Sequence, residues 1–206
     1  MKSHGVNASK NFIAAWYMQP DICDLLIEYY EQSDDKRLGI VGSGVNKEVK
    51  DSTDVIVKDQ RLAEIYHDKL KEIAHAYIKE YPWCNEYSPW GVSEDMSIQH
   101  YRPGQGFKGW HTERSVIEWP YSARHLVFMT YLNDVTDGGE TEWFHQNLKI
   151  KPEKGLTVIW PADWMFTHRG VVSHTQEKYI LTGWFHFLPK TNEMYSIDTK
   201  TLADSV

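Results

Sequence analysis

The chain has 206 residues and a formal net charge of −7. That length suits one domain with its own buried core, and the acidic balance argues against a nucleic-acid backbone as the main partner. Cys23 and Cys84 form no C-x-x-C pair, and no stretch is long enough to span a bilayer, so we expect a soluble cytoplasmic protein with inert thiols, no structural zinc and no membrane partner.

The N-terminal decapeptide M-K-S-H-G-V-N-A-S-K has no apolar run behind its charge and does not read as a signal peptide. Residues 11–19 suit a short strand. Pro20 then stands where a first helical turn tolerates proline, and Ile22, Leu25, Leu26 and Tyr29 give a helical stripe. Residues 39–54 carry three glycines and a polar run, and read as a mobile loop or hairpin that could act as a substrate lid. The clearest helix spans about 59–79. Leu62, Ile65, Tyr66, Leu70, Ile73, Ala74, Tyr77 and Ile78 recur every three or four residues and form one apolar face; Pro82 ends it. His67 and His75 ride on this helix without a chemical role.

After about Met96 the pattern changes. Runs rich in β-branched and aromatic residues at 97–101, 124–132, 141–144, 156–160 and 178–187 alternate with turn signals at Gly138-Gly139 and residues 151–155. Helices first and short strands later imply an α+β, mainly β architecture: a sandwich or barrel with N-terminal helices braced against one face. We expect a single domain over 1–206, with a support region at 1–95, a β core at 96–190 and a tail at 191–206.

Within the β region stands W-H-T-E-R, residues 110–114. On a strand, His111 and Glu113 would point to the same face. One more imidazole from a distant strand would complete a 2-His-1-carboxylate triad, which leaves metal positions open on one side and suits Fe(II) oxygenases. H-x-E alone is a common dipeptide spacing, so the second half of the chain has to supply the rest.

It does so through several spaced motifs. Tyr101-Arg-Pro-Gly-Gln-Gly106 precedes His111, Thr130-Tyr-Leu-Asn133 and Gly138-Gly-Glu-Thr141 follow, and His168 is succeeded by Lys178, Thr182 and Trp184. From about Ser97 to Phe187 the chain resembles the prolyl 4-hydroxylase branch of the 2-oxoglutarate oxygenases, including its bacterial and viral members. The resemblance implies a double-stranded β-helix of jelly-roll or cupin type. It implies Fe(II) on His111, Glu113 and His168, with Glu113 where the family usually has Asp. A carboxylate there argues for hydroxylation, whereas Gly or Ala would suggest a halogenase. It also implies 2-oxoglutarate and O2 as co-substrates, ascorbate as reductant, and succinate and CO2 as products.

The far carboxylate of 2-oxoglutarate needs a cation. Lys178 is expected to supply it, at about 4 kcal/mol of attraction for a pair at ~4 Å and an effective dielectric of ~20, before desolvation. Tyr101, Thr130 and Thr182 are the expected extra donors, with Trp184 beside them. Thr130 shares a face with Phe128 and is chosen over Tyr131. His186 lies on the same face as Lys178 and reads as a hydrogen-bonded core histidine, while His100, His125 and His145 read as packing or surface residues.

His174 competes with His168 as the distal ligand. The ten positions from 168 to 178 allow a strand to leave the metal, turn and return. Four residues from His174 cover about 13 Å at most and leave no room for a turn.

The implied substrate is a peptide or protein whose proline is hydroxylated at C4, with Trp90, Trp110, Trp119, Trp143 and Trp164 at the barrel mouth to stack on it. The alternatives are another residue, a free amino acid or another small molecule as substrate, and a non-catalytic metal-binding β-barrel, which would be expected to lack a ligand or the cation. A nucleic-acid dealkylase would want further arginines after the distal histidine, where Arg169 stands alone.

Overall fold

The computed structural model describes residues 2–4, 11–42 and 44–188. The expected tail at 191–206 lies outside the described residues. In chain order the elements are β1 (Ser3–His4), β2 (Ala14–Tyr17), α1 (Pro20–Gln32), β3 (Arg37–Leu38), β4 (Lys50–Asp51), β5 (Thr53–Ile56) and α2 (Gln60–Glu80). Then follow β6 (Trp90–Val92), β7 (Ser97–Tyr101), β8 (Gly106–Phe107), β9 (Arg124–Tyr131), β10 (Thr141–Trp143), β11 (Leu148–Ile150), β12 (Leu156–Pro161), β13 (His168–Gly170) and β14 (Lys178–Phe187). No helix among the described residues is long and apolar enough to cross a membrane.

Both expected helices form. Asp59 caps α2, its carboxylate accepting the Leu62 N–H at 2.9 Å, and the chain leaves the helix just before Pro82, which has no N–H to continue the ladder. The buried side of α2 is Leu62, Tyr66, Leu70, Ile73, Ala74 and Tyr77, while Ile65 and Ile78 sit at its margin. In α1 the buried face is Ile22, Cys23, Leu26 and Tyr30, so the expected stripe is rotated: Leu25 faces out.

The main sheet runs β1-β2-β12-β9-β14-β7-β5-β3, with β6 also paired to β14. A smaller sheet, β11-β10-β13, faces it across the interior. Together they make the double-stranded β-helix, with the main sheet left open rather than closed on itself. Strand alternation divides the core in two. On β9, Leu126 and Phe128 face outward to α1 and α2, while Val127, Met129 and Tyr131 face the space between the sheets. On β14, Leu181 and Phe185 face the helices and Ile180 faces inward. Gly183 is required on the helix side, since a Cβ there would stand 2.3 Å from the Phe128 ring.

The aromatic residues divide between core and surface. Trp90 and Trp143 are core residues rather than mouth residues, the first packed on Phe185 and the second on Trp160. Trp110, Trp119 and Trp164 are exposed. Both cysteines are free, and burial pushes each thiol up to about 12.

Candidate metal centre

The H-x-E pair does not lie on a strand as expected. His111 forms a single antiparallel bridge with His168, each residue's N–H donating to the other's carbonyl at 3.0 and 2.9 Å, and Glu113 follows in irregular chain. That bridge adds His111 to the edge of the small sheet beside β13, which is what brings the two imidazoles together, 4.3 Å between ring centres with their planes 51° apart. Glu113 Oε1 lies 3.5 Å from His111 Nε2 and 3.4 Å from His168 Nε2. These three residues form the one group of three or more potential metal-binding side chains found among the described residues, with donor atoms within 4.8 Å of one another.

Hydrogen bonds set the protonation of this cluster. His111 Nδ1 and His168 Nδ1 each lie 2.9 Å from a backbone carbonyl, of Gly109 and Phe166 respectively. A carbonyl only accepts, so each Nδ1 carries the proton and each Nε2 presents a lone pair. Burial keeps His168 neutral by lowering its pKa, reinforced by neighbouring His111. Burial alone would raise Glu113, but a proton on the facing imidazoles outweighs this through hydrogen bonds and charge, and holds the carboxyl well below the usual carboxylate range. With both rings neutral, two lone pairs and a carboxylate converge on one point. Such an arrangement is repulsive until a cation sits in it, so the donor set fits a divalent metal.

The second Glu113 oxygen is occupied elsewhere. Trp184 Nε1 donates to Oε2 at 3.0 Å, and Arg124 Nη1 donates to Oε2 at 3.3 Å and to the Glu113 carbonyl at 3.2 Å. Arg124 and its partner Glu94 carry no spacing motif in the sequence. The one available signal is a charge at the head of an apolar strand.

The cluster opens into a cavity of about 870 Å³, also lined by Tyr101, Thr182, Trp184 and Lys178. Four cations reach its wall. Lys50 pairs with Asp54, Arg124 with Glu94 and Glu113, and Arg169 with Glu142. Lys178 has no ion-pair partner among the described residues; its ammonium donates to Gly139 O at 3.0 Å and lies over the Tyr101 ring. The Gly-Gly turn serves this contact: both residues have positive φ, and a Cβ on Gly138 would stand 2.4 Å from Val172 O. Tyr101 donates its hydroxyl to Gln99 at 2.6 Å.

Thr130 corrects the expectation. It shares the Phe128 face, but that face meets α2: its Oγ1 hydrogen-bonds Tyr66 and Thr157, both at 2.8 Å, and it does not line the cavity. Tyr131 takes the interior face instead, its hydroxyl 2.6 Å from Thr141, which is on the wall. His174 is exposed and outside the cluster, and His186 is fully buried against Glu94. A separate hollow of about 890 Å³ beside Arg114, His125, His145 and Asp163 contains none of the three donors.

The chain is similar to known proteins in part of its sequence and in its fold. The sequence profile of the 2OG-Fe(II) oxygenase superfamily matches residues 96–186, and the cofactors of that superfamily are Fe(II), 2-oxoglutarate and O2. No curated protein sequence matches the chain. A viral collagen prolyl hydroxylase of Paramecium bursaria Chlorella virus-1, solved with 2-oxoglutarate, is 19% identical, with TM-score 0.65 over 89% of this chain and 100% of that one. A Pseudomonas putida prolyl-4-hydroxylase is 15% identical, with TM-score 0.67 over 87% and 95%. A Trichoplax adhaerens prolyl hydroxylase, solved with a hypoxia inducible factor peptide fragment, is 16% identical, with TM-score 0.69 over 86% and 84%. The chain is thus prolyl 4-hydroxylase-like in fold, and its residues 96–186 match the profile of the 2OG-Fe(II) oxygenase superfamily.

Proposed function

We propose that this oxygenase holds Fe(II) on His111, Glu113 and His168, binds the far carboxylate of 2-oxoglutarate on Lys178, and hydroxylates a peptidyl proline at C4. The carrying observation is the pairing of a converging His-Glu-His donor triad with one buried ammonium that has no ion-pair partner among the described residues, in the same cavity. When bound, iron and 2-oxoglutarate together supply the oxidising power for hydroxylation, with succinate and CO2 released.

The chain's own residues prepare that chemistry. The Gly109 and Phe166 carbonyls keep both Nε2 lone pairs aimed inward. Trp184 and Arg124 hold Glu113 Oε2, so that Oε1 faces the histidines. Lys178, Thr182 and Tyr101 line the cavity where the co-substrate would lie. The end of the expected 39–54 loop is taken up by β4 and the start of β5; Ile40 and Val41, in its first part, border the same cavity and would close over an extended peptide, on which the exposed Trp110, Trp119 and Trp164 could stack.

Mass spectrometry of a proline-rich peptide library, with iron, ascorbate and 2-oxoglutarate, should show a +16 shift on proline with matching succinate release. A shift confined to another residue would replace the substrate. Failure of 2-oxoglutarate to bind the metal-loaded protein would sink the site assignment.

A further inference from the structure

Glu113 stands in irregular chain, so no sheet ladder fixes it, and its side chain has one more rotor than the shorter aspartate. What fixes it is a chain of charges buried at Arg124 and His186 and part-buried at Glu94. Arg124 is 5% exposed and spends three nitrogens: Nη1 on Glu113, and Nε and Nη2 as a fork on the two oxygens of Glu94, at 2.9 and 2.8 Å. Glu94 Oε1 in turn meets Nε2 of the fully buried His186. The flat face of the guanidinium lies 3.5 Å from the Trp184 ring centre, and that same ring supplies the other donor to Glu113 Oε2.

The charges on this chain decide what it does. An arginine paired with Glu113 alone would neutralise the carboxylate and weaken its hold on a cation. Glu94 takes two of the three engaged guanidinium nitrogens and balances the charge. Arg124 can then orient Glu113 through one long hydrogen bond while the carboxylate keeps its negative charge for the metal. We propose that Glu94, acting through Arg124, is a positioning residue: it sets both the orientation and the net charge that Glu113 presents to the metal. The inference rests on the Fe(II) site proposed above.

Mn(II) binding to the metal-free protein, followed by calorimetry and by the Mn(II) paramagnetic resonance signal, tests this without turnover. Glu94→Gln keeps the shape and removes the charge, and should weaken Mn(II) binding by about tenfold or more, the size found when groups supporting a metal ligand are lost. Glu94→Asp keeps the charge and should restore most of that loss. Should Glu94→Gln not fold, Arg124→Lys asks the same question, because a single ammonium cannot fork to Glu94 and reach Glu113 together; the same weakening is expected. A purely structural role would lower the melting temperature of the metal-free variants and leave Mn(II) affinity in the folded protein unchanged, which would overturn the inference. Wild-type protein that takes up no Mn(II) would instead overturn the metal site itself, and this inference with it.

Discussion

Lys178 is the residue on which co-substrate binding turns in the proposed site. Its ammonium has three donors, and Gly139 O takes one. Burial pushes its pKa down from 10.5 to about 8. In the metal-free protein, the unfolded chain keeps a proton between pH 8 and 10.5 that the folded chain has shed, so this group's contribution to stability rises with pH across that window. Below pH 8 both states are charged, and the folded state bears the full desolvation cost. A carboxylate placed beside the ammonium has the opposite preference, since it needs the proton there. Affinity for 2-oxoglutarate, measured by calorimetry with Mn(II) present, should therefore be highest below pH 8 and fall up to about tenfold for each unit above it. A flat profile would move the carboxylate to another cation such as Arg169. Lys178→Ala should cost roughly 3 kcal/mol, about a hundredfold, in 2-oxoglutarate binding, abolish the pH dependence, and leave Mn(II) binding alone unchanged.

At the scale of elements, the packing of α2 on the main sheet decides which β9 side chains can reach the cavity. The apolar face of α2 must be covered, and it takes Leu126 and Phe128. Thr130, in phase with them, is carried to the helix side, where Tyr66, Thr130 and Thr157 share a dry hydroxyl chain. Thr130→Val keeps the shape but removes one link of that chain. It should cost about 1–3 kcal/mol, seen as a lower melting temperature in calorimetry, with 2-oxoglutarate affinity unaltered. Weakened cofactor binding at unchanged stability would put Thr130 back on the cavity wall.

For the whole molecule, the centre joins parts distant in sequence: the segment before Glu113, β9, β13 and β14. Their donors repel one another without a cation, so metal binding should feed directly into global stability. A metal at about a hundred times its dissociation constant adds roughly 2.7 kcal/mol, which is about 5–10 °C in melting temperature for a chain of this size. Chelation with EDTA should reverse the shift. His168→Ala should abolish it and His174→Ala should retain it. An equal response in both variants would break the ligand assignment.

The sequence by itself determined the periodic elements. The spacing in 59–79 dictates an amphipathic helix whatever it packs on, and the runs rich in β-branched and aromatic residues at 97–101 and 178–187 match β7 and β14 end to end. It also singled out His111, Glu113, His168 and Lys178, because their chemistry is tied to short motifs and to an offset along one strand. Tertiary structure alone decided which face of a strand is the inside. Thr130 and Tyr131 are both hydroxyl-bearing neighbours on β9, and period two separates them without saying which side the helices cover. Only tertiary structure showed that Trp90 and Trp143 are core, and only it joined Glu94, Arg124, Trp184 and His186 to Glu113. Those contacts depend on β6, β7 and β9 converging on β14 and on the segment around Glu113, and a buried charge pair leaves no mark in sequence because its partner can stand at any distance along the chain.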